Sequence, residues 1–243
     1  MEAEAVQKTT ESTFIHYFGI WTWFEKIWLT IFTAITIYLF FAFEDSLIGL
    51  VSSLTGMLCV VLVAKGKITN YYFGIINTLT YGYLAYTYGL YGDAMLNLLF
   101  YFPAQFIGIY LWGKHRATGN VQGEDVVVAR VQKKFRLIVL TILLWALYAI
   151  FLVYLGGRSI GLDSATTILS VIAQILMIKR YVEQWLVWIL VNILSIAMWI
   201  IELIRQDGND WAIALMWTAF LINSIYGYLN WRKLYKKQEV LTK

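Results

Sequence analysis

Apolar residues dominate eight stretches of the chain, at 27–43, 46–64, 71–89, 94–112, 137–155, 164–178, 185–203 and 211–231, with short polar segments between them. A helix needs ~20 mostly apolar residues to cross the hydrocarbon of a bilayer. Lipid offers the backbone no hydrogen-bond partner, so each such stretch is expected to be helical. The pattern therefore predicts an all-α polytopic membrane protein with eight transmembrane helices. Residues 1–26 precede the first span as a cytoplasmic and interfacial segment, 113–136 form a cytoplasmic linker, and 232–243 form a cytoplasmic tail.

Charge orients this arrangement. With alternate loops on alternate sides, one side receives Lys8, Lys26, Lys65, Lys67, six basic residues between 114 and 136, Lys179, Arg180 and five after the last span. The other side receives only Arg158 and Arg205. Acidic residues divide almost evenly, so the asymmetry lies in Lys and Arg, as the positive-inside rule requires. Eight spans with both termini in the cytoplasm follow. Composition agrees: 60% hydrophobic and 14% charged residues exclude a soluble domain. The basic balance does not point to nucleic acid, because the cations are loop residues facing anionic lipid. The opening MEAEAVQKTTES lacks the basic stretch of a secretory signal, and the aromatic-rich 14–28, with Trp21, Trp23 and Trp28, reads as interfacial. Oligomeric state is left open, a homo-oligomer being compatible with the pattern.

The chain also repeats itself. Phe106-Ile-Gly-Ile-Tyr-Leu-Trp112 and Ile225-Tyr-Gly-Tyr-Leu-Asn-Trp231 end spans four and eight alike, with Gly108 and Trp112 matching Gly227 and Trp231. Upstream, the basic turns at Lys65-Gly-Lys67 and Lys179-Arg180 each precede a span that opens with aromatics. Four spans separate corresponding elements, so the halves share one orientation. Parallel repeats of this kind are a transporter architecture with substrate bound at their interface.

Within the spans as drawn there is no Asp, Glu, Lys, Arg or His away from the outer ends; Glu44, Asp45, Asp93, Asp163, Glu202 and Asp210 all sit at those ends. Ion-coupled carriers ordinarily use intramembrane ionisable groups, so the reading is an uncoupled carrier. No metal-ligand set, nucleophile triad or paired carboxylates occur, and His16 and His115 lie on the cytoplasmic side. The chain is expected not to be an enzyme and to need no metal or cofactor. Cys59, alone of its kind, offers no disulfide.

What the spans do carry is amides with aromatics on the same face. Trp185, Trp188 and Asn192 stand at i, i+3 and i+7, and Asn223 and Tyr226 at i, i+3 with Asn230 a turn further. Asn97, Tyr101 and Gln105 form an i, i+4, i+8 stripe beside Pro103, and Asn77 shares a face with Tyr81. A buried amide must meet a neighbouring helix or a cavity. A cavity shared by several spans accounts for the recurrence, and its lining suits a flat, neutral or cationic, hydrogen-bonding ring.

At these residues the chain resembles the PnuC family of bacterial nicotinamide riboside transporters. The patterns Trp185-x-x-Trp188-x-x-x-Asn192 and Asn223-x-x-Tyr226 carry the likeness, with Thr55 to Lys67 and Tyr101-Phe-Pro-Ala-Gln-Phe-Ile-Gly108. It covers roughly 46–231. The resemblance implies a seven-helix core similar to sugar transporters of the SWEET type. In that core two three-helix bundles (46–112 and 164–231) are joined by the helix 137–155, with 27–43 as an extra helix. It implies facilitated diffusion of nicotinamide riboside, made one-way by phosphorylation inside the cell. Gln105, Trp185, Trp188, Asn192, Asn223, Tyr226, Asn77 and Tyr101 are the candidate substrate-binding residues. The indole faces would meet the pyridinium, Asn192, Asn223 and Gln105 would bond the amide and ribose, and Tyr226 would close the cavity. Relatives of the family take thiamine or riboflavin, and the motif residues do not by themselves separate these cargoes. A membrane receptor or scaffold, with polar residues that only lock helices, is the other class the sequence leaves open.

Overall fold

The structure, a computed structural model, describes residues 21–42, 46–87, 94–115, 126–154, 160–206 and 211–241. Eight helices run through these residues: α1 Trp23–Ala42, α2 Leu47–Ala64, α3 Asn70–Thr87, α4 Phe102–Lys114, α5 Lys134–Tyr154, α6 Ile160–Ile178, α7 Gln184–Gln206 and α8 Trp211–Leu241. A π-helical stretch, Leu96–Tyr101, runs into α4 without a break. Each coincides with one of the apolar stretches of the sequence. By length and composition, α1, α2 and the first eighteen residues of α5 qualify individually as membrane spans among the described residues.

Local chemistry sets the helix ends. Thr22 and Glu25 form a reciprocal capping box: Thr22 N–H donates to Glu25 Oε2 at 2.8 Å and Glu25 N–H to Thr22 Oγ1 at 3.2 Å. This starts α1 at Trp23, four residues before the apolar run suggests. Ser46 caps α2 by accepting from Gly49 N–H at 2.9 Å. Both α2 and α6 end in a left-handed residue, Gly66 at φ 68° and Arg180 at φ 60°. The following bonds are the same in each. Gly66 N–H donates to Val63 O and Lys67 N–H to Leu62 O, while Arg180 N–H donates to Met177 O and Tyr181 N–H to Leu176 O. This paired closure satisfies orphan carbonyls at a helix end, and it recurs at both.

The helices close into a ring. Along it α2 packs on α3, α3 on α4, α4 on α6, α6 on α7, α7 on α8, and α8 back on α2. Outside the ring α1 lies against α2 and α5 against α6. Two of these junctions, α4–α6 and α8–α2, join helices far apart in sequence. One hydrogen bond is repeated across both. Trp112 Nε1 donates to Met177 O at 3.1 Å, and Trp231 Nε1 donates to Val63 O at 2.8 Å.

The outward faces are apolar. On α5, Phe135, Leu140, Leu147, Ile150 and Tyr154 are exposed, and on α1 Ile27, Ile31, Ile35 and Tyr38. Such a surface suits contact with lipid chains. At the end of the ring that carries the α2–α3 and α6–α7 turns, residues 126–133 form a strap. Val127 N–H donates to His115 O, Ala129 N–H to Arg180 O and Val182 N–H to Ala129 O, while Gln238 of α8 bonds Val128 N–H and Val126 O. Val126 and Val128 are buried in the aromatic core beneath the ring. Arg180 joins the strap through Nη1 to Val127 O at 2.7 Å, and burial lowers its pKa from the ordinary guanidinium value. Here α8 continues unbroken to Leu241, ten residues past the span, so much of the tail is helix.

Candidate functional site

Four aromatic rings form the floor of the ring's interior. Tyr71 lies 5.1 Å from Trp112, Trp112 5.8 Å from Trp231, and Trp231 6.0 Å from Trp185, centroid to centroid. All four are buried. Tyr71 and Trp185 flank the Trp112–Trp231 pair, each crossing a glycine, Gly108 and Gly227. Glycine makes the approach possible. A Cβ on Gly227 would lie 2.5 Å from the Trp185 ring, and one on Gly108 would overlap the Tyr71 ring.

A layer of amides lies above this floor. Gln105, Asn192 and Asn223 stand seven, seven and eight positions from Trp112, Trp185 and Trp231 along their own helices. At 1.5 Å per residue this places all three about 10–12 Å from the floor, away from the α2–α3 and α6–α7 turns. Each is buried. Asn192 Nδ2 donates to Ser224 Oγ at 3.0 Å, tying α7 to α8. Asn223 Nδ2 donates to Val60 O at 3.2 Å, across the α8–α2 junction. Buried Oε1 of Gln105, Oδ1 of Asn223 and Nε1 of Trp185 have no protein partner. Buried polar atoms are seldom left so, and two unfilled acceptors in one layer offer sites for a ligand's hydroxyl or amide N–H groups. Gln105 owes its placement to Gly74, since a Cβ there would collide with its carboxamide.

The remaining candidates separate. Trp188 and Tyr226 are half-buried, and each packs against the aromatic core that contains Trp185. Asn77 is occupied within its half, its Nδ2 donating to Ser52 O at 2.9 Å. Asn230 is used likewise, donating to Ala64 O at 2.7 Å. Tyr101 is half-buried at the end of the π turn, 5.4 Å from Phe100. The π turn also alters the stripe read as Asn97, Tyr101 and Gln105. Pro103 has no N–H to give Leu99 O and crowds that carbonyl, so the helix widens ahead of it, and Phe102 N–H bonds Asn97 O five residues back. Asn97 and Gln105 remain buried, but not through a regular i, i+4, i+8 face.

One buried carboxylate leaves no mark in the apolar pattern. Glu25, two residues before the first apolar stretch, is only 1% exposed and sits among the helices. Its Oε1 accepts from Tyr226 OH at 2.6 Å and its Oε2 from Lys65 Nζ at 2.7 Å. The capping box draws Glu25 into α1 and turns it toward α2 and α8. Its neighbours had looked like an interfacial belt. Of the acidic residues assigned to the outer ends, Glu44, Asp45, Asp93 and Asp210 lie outside the described residues. Among the described residues no group of three or more His, Cys, Asp or Glu is arranged to hold a metal ion.

Comparison with known proteins follows the same lines. The family described as nicotinamide mononucleotide transporter matches residues 46–233. The chain is 42% identical to the nicotinamide riboside transporter PnuC of Neisseria mucosa, over 90% of this chain and 85% of that one. It is 44% identical to the protein of the same name from Haemophilus influenzae, over 89% of this chain and 93% of that one. The structure is similar to a crystal structure of the vitamin B3 transporter PnuC, with a TM-score of 0.77 and 42% identity over 89% of this chain and 94% of that one. These relatives are carriers, not enzymes, and the chain is a multi-pass membrane protein.

Proposed function

The chain belongs to the nicotinamide mononucleotide transporter family, and from that membership we propose that it carries nicotinamide riboside into the cell by facilitated diffusion. The observation that supports this cargo is the pair of unfilled buried acceptors, Gln105 Oε1 and Asn223 Oδ1, above an aromatic floor. Ribose hydroxyls and a carboxamide N–H are donors of the right kind for them. The rings of Trp185 and Trp188 offer electron-rich faces to a pyridinium, an attraction of ~0.5–2 kcal/mol that grows with desolvation. Tyr226 closes the cavity on the α8 side.

The riboside fits better than the mononucleotide in the family's description. The six ring helices carry no Lys or Arg within their apolar stretches, so a phosphate would find no cation at the level of the amides. Trapping by phosphorylation inside the cell makes the uptake one-way. Within the ring we read α2 to α4 and α6 to α8 as the two bundles of a SWEET-like core, α5 as the joining helix and α1 as the addition. Both termini lie in the cytoplasm of a bacterial inner membrane.

Calorimetry on the purified protein with nicotinamide riboside, its mononucleotide, thiamine, riboflavin and uridine side by side tests the reading. The riboside is expected to bind and the other four to bind far more weakly. Preferential binding of thiamine or riboflavin would overturn the cargo. Riboside binding without flux in liposomes would instead point to a receptor.

A further inference from the structure

We propose that Glu25 and Lys65 form the cytoplasmic gate of this carrier, an ionic latch that holds the α8–α2 junction shut and must part for cargo to leave. The latch draws in three elements. Glu25 belongs to α1, outside the ring; Lys65 caps the end of α2, in the first half; Tyr226 belongs to α8, in the second. Glu25 bonds both Lys65 Nζ and Tyr226 OH, so it bridges the seam between the halves where Tyr226 closes the proposed cavity. Aromatic side chains at the start of α1 cover the same seam. The Phe24 ring lies 4.8 Å from Tyr226, and Lys65 Nζ stands 5.1 Å over the Trp21 ring.

The internal repeat shows that this arrangement is not a general need of the fold. At the equivalent α4–α6 junction Lys65 corresponds to Lys179, and Tyr226 to Ile107. The first turn of α5, the counterpart of α1, contains no acidic residue. That junction is spanned by the 126–133 strap, which bonds the end of α4 to the α6–α7 turn through the chain itself. One seam is thus tied by the backbone strap, with the exposed cations Arg130 and Lys134 3.9 and 3.4 Å from Glu183, and the other by an ion pair buried on both sides. An ion pair suits a part that must open. Buried, it needs every partner it has, and once the seam parts water solvates both charges, so the closed and open states are each satisfied. An apolar contact would favour the closed state alone.

Cys59 supplies the test. It is the chain's single cysteine and lies six positions before Lys65 on α2. Cys59 Sγ and Gln105 Oε1 both pack close against Gly74, at the level of the amides, so a reagent that reaches Cys59 from the cytoplasm has passed the latch. Inside-out vesicles bearing the full chain would be treated with an impermeant maleimide and the labelling rate followed. Glu25→Gln and Lys65→Met are each expected to label at least fivefold faster than the parent. Glu25→Asp, which keeps the charge but shortens the reach, should fall between, and the exchanged pair Glu25→Lys with Lys65→Glu should return toward the parent rate. Labelling from the outer face should be unchanged in all four. Equal rates in every variant that folds would overturn the latch, as would acceleration from both faces, which signals general loosening. The inference rests on the transport reading, but the labelling needs no substrate. A different cargo in the calorimetry would leave it standing.

Discussion

Asn77 and Asn223 are indistinguishable as buried amides in a hydropathy plot, but their partners separate their roles. Asn77 is consumed by Ser52 on the neighbouring helix, whereas Asn223 keeps Oδ1 open. A neutral hydrogen bond contributes ~0.5–1.5 kcal/mol, more when a buried partner is stranded. Gln105→Ala and Asn223→Ala are therefore expected to weaken riboside binding by roughly three- to tenfold or more in calorimetry. Asn77→Ala should leave the affinity within about twofold and lower the melting temperature instead, because its bond ties α2 to α3. Asn192 lies between these cases, since its Nδ2 is held by Ser224 while its face continues from Trp185 and Trp188. At Trp188 the aromatic face itself is at issue. Trp188→Leu should hurt binding more than Trp188→Phe, and equal losses would remove the cation–π reading.

The spans were legible as elements because lipid forces a helix wherever an apolar stretch is long enough, and no tertiary contact competes with that rule. Each helix therefore overlaps its apolar run, although α8 continues ten residues past it. The departures come from hydrogen bonding, made or forgone, that hydropathy does not register. Thr22 and Glu25 begin α1 early, and the capping-box spacing Thr-x-x-Glu was the available signal. Pro103 forces the π turn that breaks the Asn97 to Gln105 stripe, and the proline itself was visible. The strap at 126–133 had no signal of its own, since its structure comes from bonds to the α6–α7 turn and to Gln238, far away in sequence. Of the site, the inward faces of α7 and α8 could be read from helical spacing, but which amide atoms remain open could not, because that depends on the neighbour each happens to meet. The glycine–aromatic crossing of α8 and α7 gives a check at this scale. Gly227→Ala puts a methyl group into the Trp185 ring and should destabilise the protein by about 1–3 kcal/mol, read as a lower melting temperature. Gly113→Ala, with open space around it, should change little.

The whole molecule has a sidedness that labelling can read. A cysteine introduced at Gly119 in a Cys59→Ala background should resist an impermeant maleimide outside intact cells, and one at Gly157 should react. The opposite result would invert the orientation. In kinase-free liposomes without an imposed voltage, uptake should stop at equal concentrations and ignore proton or sodium gradients; accumulation driven by either would refute the uniport. The Glu25–Lys65 pair has a further, electrical consequence. The pair is neutral as a unit, so if it parts and reforms without exchanging ions, the gate carries no net charge through a transport cycle. The pyridinium then crosses as an unescorted positive charge, and each turnover is an elementary current. An inside-negative potential of 100 mV contributes ~2.3 kcal/mol per charge, enough to hold a cationic nucleoside roughly fiftyfold above its outside concentration before any enzyme acts on it. A patch of membrane bearing this protein should pass inward current when the riboside is added outside, and none for an uncharged analogue whose ring is reduced.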